Sequence, residues 1–201
     1  MRLSTIAAFA ALLFCFCGPA RAGVVEIMPP AEKLRKDRPR MMVRAKADPQ
    51  AISIEQLKAL EHDADYQAAM RILKSRNNAA CMAMIWMLTG DESAADRAFA
   101  RLKAFNRGAG DAFDVFFGLR EMALAYDWLY DHPKFTPELK KQVRDKAFVF
   151  CDKWGLKHGD DHVFHNYVWM NNCGMAMWAM ACYGDDPRAE GEVGRVGMAV
   201  D

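Results

Sequence analysis

The chain has 201 residues, 52% of them hydrophobic, with 27 Lys and Arg against 26 Asp and Glu for a formal net charge of +1. This composition excludes a disordered, weakly hydrophobic chain and leaves no global basic field of the kind that holds nucleic acid. It suits one medium domain with a core of its own.

The first residues read as a secretory signal: Arg2, the apolar run Ile6–Cys17, Gly18-Pro19, and then Ala20-Arg21-Ala22, a small-x-small cleavage site. The run is too short to span a bilayer, and no lipid-attachment pattern surrounds Cys15 or Cys17. Residues 1–22 are therefore expected to be removed near Ala22, giving a periplasmic or secreted protein without a membrane span. Loss of Arg2 and Arg21 leaves 25 basic against 26 acidic residues. Four cysteines remain: Cys81, Cys151, Cys173 and Cys182. One or two disulfides are open to them in an oxidising compartment, but three lie in strongly apolar helical patterns that favour buried free thiols. Their spacing matches no zinc motif, and neither a metal nor another cofactor is expected.

Residues 23–50 are rich in Pro and basic side chains, which predicts an extended arm that wraps the domain or stays mobile. Its run Lys33, Arg35, Lys36, Arg38, Arg40, Arg44, Lys46 reads as a solvated face, with a polyanion contact as the alternative. From residue 51 onward the pattern is almost entirely helical. Ser53 starts a short helix to about Leu60, and Asp63 or Asp65 opens another to about Lys74. Asn77–Leu88 is apolar on nearly all sides and closes at Thr89-Gly90, whereas Asp91–Phe105 carries one apolar face. The order repeats. Ala112–Tyr130 is mostly apolar, while Pro137–Trp154 has a single stripe and opens on Thr136-Pro137-Glu138, a capping hydroxyl, a proline at the first helical position and an acid in the first turn. A third pair is Tyr167–Tyr183 and the segment from Pro187. Thr89-Gly90-Asp91 and Tyr183-Gly184-Asp185 recur two hairpins apart.

Three hairpins, each pairing a buried helix with a half-exposed one, predict an all-α array with inner and outer helices: an incomplete (α/α) toroid over residues 51–201. Parallel inner helices would bring their entry loops together at one end. Those loops carry Asn77-Asn78, Asp111 with Asp114, Asp160-Asp161-His162 and His165-Asn166. The last of these enters the apolar helix from Tyr167, so free backbone N–H groups and a positive dipole end would favour an anion such as a carboxylate beside His165 and Asn166. Simple capping by His165 and Asn166, with Asn171 and Asn172 satisfying core backbone, is the rival reading. Arg120 and Asp127 share a helix face as an ion pair or cap. Tyr126, Trp128 and Tyr130 either floor a sugar cleft or belong to the core.

Ala125–Ala147 (AYDWLYDHPKFTPELKKQVRDKA) followed by His165–Pro187 (HNYVWMNNCGMAMWAMACYGDDP) resembles the α-toroid domain of the heparinase II/III-like polysaccharide lyases, a group that includes alginate lyases. The resemblance runs from about Asp63 to the end. It implies an N-terminal toroid, a C-terminal β-sandwich and β-elimination of a uronate-containing polysaccharide or oligosaccharide. It makes His165 and Asn166 the catalytic pair that neutralises the substrate carboxylate, in reversed order relative to the Asn-His of many members. His162, Tyr167, Asn171, Arg120 and Tyr126 are the substrate-binding candidates. The family's Tyr and second-domain His would fall beyond Asp201, so the sequence reads as truncated and inactive alone. Two other functions fit the residues: a toroid glycoside hydrolase using Asp111 with Asp160 or Asp161, and an exported helical scaffold that only binds a partner.

Overall fold

The computed structural model describes residues 34, 36–46, 48–49, 51–105, 112–154 and 166–191; for residues 112–115, 153–154 and 166–169 only the backbone is described. Five of the described helices start where a short polar side chain satisfies free N–H groups. Ser53 and Gln56 form a reciprocal capping box at α1 (Ile54–Lys58), and the Asp63 carboxylate accepts from the Asp65 and Tyr66 amides to open α2 (Ala64–Ser75). Asn78 accepts from the Cys81 amide at 2.8 Å to open α3 (Ala79–Thr89). Asp91 opens α4 (Glu92–Ala104) and Thr136 opens α6 (Pro137–Trp154). Between these lie α5 (Ala112–Trp128) and α7 (Asn166–Cys182), and residues 187–191 are again helical. Gly90 and Gly184, the two glycines of the repeated turn, both take left-handed backbone conformations (φ 72° and 76°), which ends α3 and the α7 hairpin alike.

The architecture is all-α. Among the described residues extended backbone pairs only at two isolated bridges, Arg44 with Ser53 and Asp48 with Ala51. Helices α3, α5 and α7 lie side by side as one layer, and α4 and α6 cover it as a second. The α5–α7 contact is the most extensive, and Gly174 permits it: a Cβ there would stand 3.2 Å from the Phe116 Cα. Below Gly174, Trp178 packs edge-on against Tyr126 at 5.3 Å and against Phe148 of α6 at 6.1 Å. A second aromatic chain runs from Trp86 through His132 and Phe99 to Phe135 and ties α3 and α4 to the turn after α5.

Helices α3, α5 and α7 run in the same direction. The end of α5 and the end of α7 meet at Asp127, Tyr130 and Asp185, while the α3 N-terminus lies against α5 through the Ala79 amide and Glu121. The arm crosses the C-terminal ends, and this corrects its reading as a solvated basic face. The Arg38 side chain is only 6% exposed. Its guanidinium donates to Asp127, Asp185 and the Ala181 carbonyl, and Arg40 donates to the Met180 and Tyr183 carbonyls. Helix C-termini leave carbonyls unpaired and carry a negative dipole end, so these cations are drawn to the ends of α5 and α7 rather than to water.

The predicted burial of α7 on all sides is also corrected. Cys173 is exposed and Met170, Met177 and Met180 are half-exposed, a stripe at helical spacing that no described element covers. Ala80, Met84 and Met87 form a similar half-exposed stripe on α3. Among the described residues no disulfide joins Cys81, Cys151, Cys173 or Cys182, and Cys151 and Cys182 are buried. No helix among the described residues is long and apolar enough to cross a membrane.

Candidate functional site

The sequence candidates divide between the two ends of the inner layer. His162 and His165 lie outside the described residues, as do Asp111, Asp160 and Asp161, together with the signal segment 1–22. Asn166 is the first residue of α7 and Tyr167 the second, so their backbone stands at the helix N-terminus where the sequence placed them. Less than two turns further on, Asn171 is buried at 8% exposure and its Oδ1 has no hydrogen-bond partner among the described residues. Asn171 lies one turn before Gly174, on the side of α7 that meets Phe116 of α5. Asn172 beside it is also buried.

Arg120 reaches the same neighbourhood from α5. Its guanidinium lies 5.5 Å from the centroid of Phe116 and 4.9 Å from that of Phe117, whose ring is 42% exposed. This corrects the pairing with Asp127. Seven residues separate the two along about 10 Å of helix axis, and Asp127 is already occupied by Arg38 at 2.8 Å and by the amides of Arg40 and Met41. Next to Arg120, Glu121 accepts the Ala79 amide at 2.6 Å and so caps α3 from a neighbouring helix. The Cys81 thiol in the first turn of α3 is pushed up by burial, and Glu121, Arg76 and Arg120 all act on it electrostatically. The N-terminal end of α3 therefore lies against the middle of α5 beside Arg120 and Glu121.

Tyr126 is at the other end, and its place as a sugar floor is corrected. It is fully buried, accepts from Arg144 at 2.9 Å, and burial raises its hydroxyl well above the ordinary tyrosine value. Tyr130 is raised too, by burial and by its 2.8 Å bond to Asp185, and it lies between Arg38 and Lys140, whose charged groups stand 3.9 and 3.7 Å from its ring centroid. These two tyrosines belong to the clamp that joins the arm, α5, α6 and the end of α7.

The clamp continues through Asp186, which accepts from Arg188 and from Arg144 Nε at 3.1 Å. Those bonds, the Arg188 side chain first, hold the Asp186 carboxyl down at about 2. The unfolded chain then binds the proton first, so the stability Asp186 contributes is full above the ordinary carboxylate value of 3.8 and is lost as the pH falls toward about 2. Asp186→Asn is expected to flatten that part of the stability curve, checked by melting both proteins between about pH 5 and about pH 2. Superimposable pH dependence would show that the carboxylate is not held in this way.

Among the described residues no three His, Cys, Asp or Glu side chains group as metal ligands. No family model, no curated protein and no solved structure matches this chain.

Proposed function

We propose that residues 51–201 are the N-terminal part of an (α/α) toroid of the heparinase II/III-like lyase type, exported from the cell and acting on a uronate-containing glycan by β-elimination. Three parallel inner helices with an outer layer over them support the toroid, as do the half-exposed stripes of α3 and α7, which suit helices that face a ring axis. The arm occupies the C-terminal ends of α5 and α7, leaving the N-terminal end as the side for substrate.

The observation that carries the reading is the Asn171 amide, buried with no partner for its Oδ1 among the described residues, in the helix that begins at Asn166. A buried acceptor without a partner costs about 1–3 kcal/mol, and a catalytic role is one of the reasons for which such a group is retained. In the reaction the C5 proton passes to a base, the C5 electron pair forms the C4–C5 double bond, and the C4–O bond breaks with a proton going to the departing oxygen. His165 and Asn166 are the donors that stabilise the charge developing on the C6 carboxylate, and His162, Tyr167, Asn171 and Arg120 contact sugar. Tyr126 and Tyr130 are not the base: burial raises both, and their hydroxyls are engaged by Arg144 and Asp185.

The test is to incubate the natural gene product containing residues 23–201 with a panel of uronate polymers. Ultraviolet-absorbing, C4–C5 unsaturated product is expected, with His165→Ala and Asn166→Ala each lowering turnover about 10²-fold or more at an unchanged melting temperature. Reducing ends without absorbance would replace the reading by a hydrolase using Asp111 with Asp160 or Asp161. Neither product would leave a binding scaffold.

A further inference from the structure

The uncovered stripe of α7 consists of sulfur side chains: Met170, Cys173, Met177 and Met180. At about 100° per residue they fall within about 80° of one another around the helix, and no other residue from Met170 to Met180 shares that arc. Methionine also fills gaps in apolar packing, but no described element packs on this stripe, and at its centre is the exposed Cys173, which no disulfide engages among the described residues. Cys173 stands three residues after Met170 and four before Met177, spacings that set Cβ atoms about 5–6 Å apart. Helical side chains lean toward the N-terminus, which carries the Met177 thioether over Cys173, and the three rotatable bonds of Met170 let it reach from the other side. Met180 is about 10 Å along the axis from Cys173 and out of reach. Helix α7 carries no carboxylate and no imidazole. One thiolate with two thioethers is a soft donor set, which suits Cu(I) rather than an ion that prefers oxygen or nitrogen.

We infer that Met170, Cys173 and Met177 form a three-sulfur site for a soft monovalent metal ion, Cu(I). Binding breaks the Cys173 S–H bond, forms an S–Cu(I) bond and releases the proton to solvent, and the metal keeps its oxidation state. Burial against its neighbours pushes the Cys173 thiol up from its ordinary value. The metal therefore competes with a proton, and its affinity rises with pH. The site does not depend on the lyase reading and adds a ligand of a different class.

The experiment is anaerobic titration of the natural gene product containing residues 23–201 with Cu(I) presented by a chromogenic chelator, repeated with Ag(I), which needs no reductant. A tight site is expected, stronger at pH 8 than at pH 6 and lost in Cys173→Ser. Met170→Leu and Met177→Leu keep the apolar bulk without the donor, and each should weaken binding by about tenfold to a hundredfold, the scale of losing one group around a metal. Met180→Leu and Cys81→Ser should leave the affinity unchanged. Melting temperatures of the metal-free proteins separate lost binding from lost fold, and the Met→Leu pair keeps the test open should Cys173→Ser fold poorly. Wild-type affinity in both Met→Leu variants would reduce the site to an ordinary exposed thiol and overturn the inference. So would a loss in Cys81→Ser as large as that in Cys173→Ser, or a wild type that takes no metal from the chelator.

Discussion

Arg38→Ala is expected to destabilise the fold by about 3–5 kcal/mol, the usual result of removing one partner from a buried ion pair. The Asp127 carboxylate would remain inside, keeping only the Arg40 and Met41 amides at 2.8 and 2.9 Å, and those amides belong to the arm that Arg38 anchors. Asp185 and the Ala181 carbonyl lose a donor in the same step, and Tyr130 loses the cation on one face. Against a typical total of about 5–15 kcal/mol this is a large fraction, and for a chain of this size it corresponds to a fall of roughly 10 °C in melting temperature. The pH dependence has a definite sign. Burial already raises the Asp127 carboxyl, against the pull of the Met41 amide and Arg38. Without Arg38 its folded-state value rises further, so the variant takes up a proton on folding at higher pH, and its deficit relative to wild type narrows as the pH falls. The double variant Arg38→Ala/Asp127→Asn should recover part of the loss. Chemical denaturation of the wild type, the single variants Arg38→Ala and Asp127→Asn and the double variant measures this directly. A loss below about 1 kcal/mol, the range of exposed pairs, would mean that the arm is not part of the folded unit.

Trp178→Ala should cost a similar amount, about 3–5 kcal/mol, for a different reason. Trp178 is fully buried where α7 meets α5 and α6, and its ring is held edge-on by Tyr126 and Phe148. Truncation leaves a cavity that the surrounding helices are too closely packed to collapse into. Trp178→Phe is the informative control. Among the described residues the indole Nε1 has no hydrogen-bond partner, so the smaller ring removes an unsatisfied donor as it gives up area, and the expected cost is below about 1.5 kcal/mol. Equal melting temperatures for the Ala and Phe variants would show that this site repacks freely and that the α5–α7 contact does not depend on Trp178.

The helices, their order and their ends were written in local chemistry. Ser53, Asp63, Asn78, Asp91 and Thr136 each stand where a short side chain oxygen reaches the next free amides, and Gly90 and Gly184 stand where the backbone turns left-handed. Capping and hydrophobic periodicity act over a few residues, so one sequence carries them in full. The alternation of all-round apolar and one-faced helices likewise anticipated the two layers. What the sequence alone left undecided were the partners of charges. Arg38 and Asp127 are 89 residues apart, and only the parallel course of α5 and α7 brings the arm to their C-terminal ends. Arg120 and Asp127 share a helix face but not a reach, and the separation along the axis assigned Asp127 to the arm and left Arg120 to the aromatic rings. Tyr126, read from its helical position as either cleft floor or core, became core because Trp178, Phe135 and Arg144 arrive from three other segments to enclose it. Local spacing fixes which face of a helix a residue occupies, but burial and pairing depend on what the rest of the chain delivers to that face, and these are decided by tertiary structure alone.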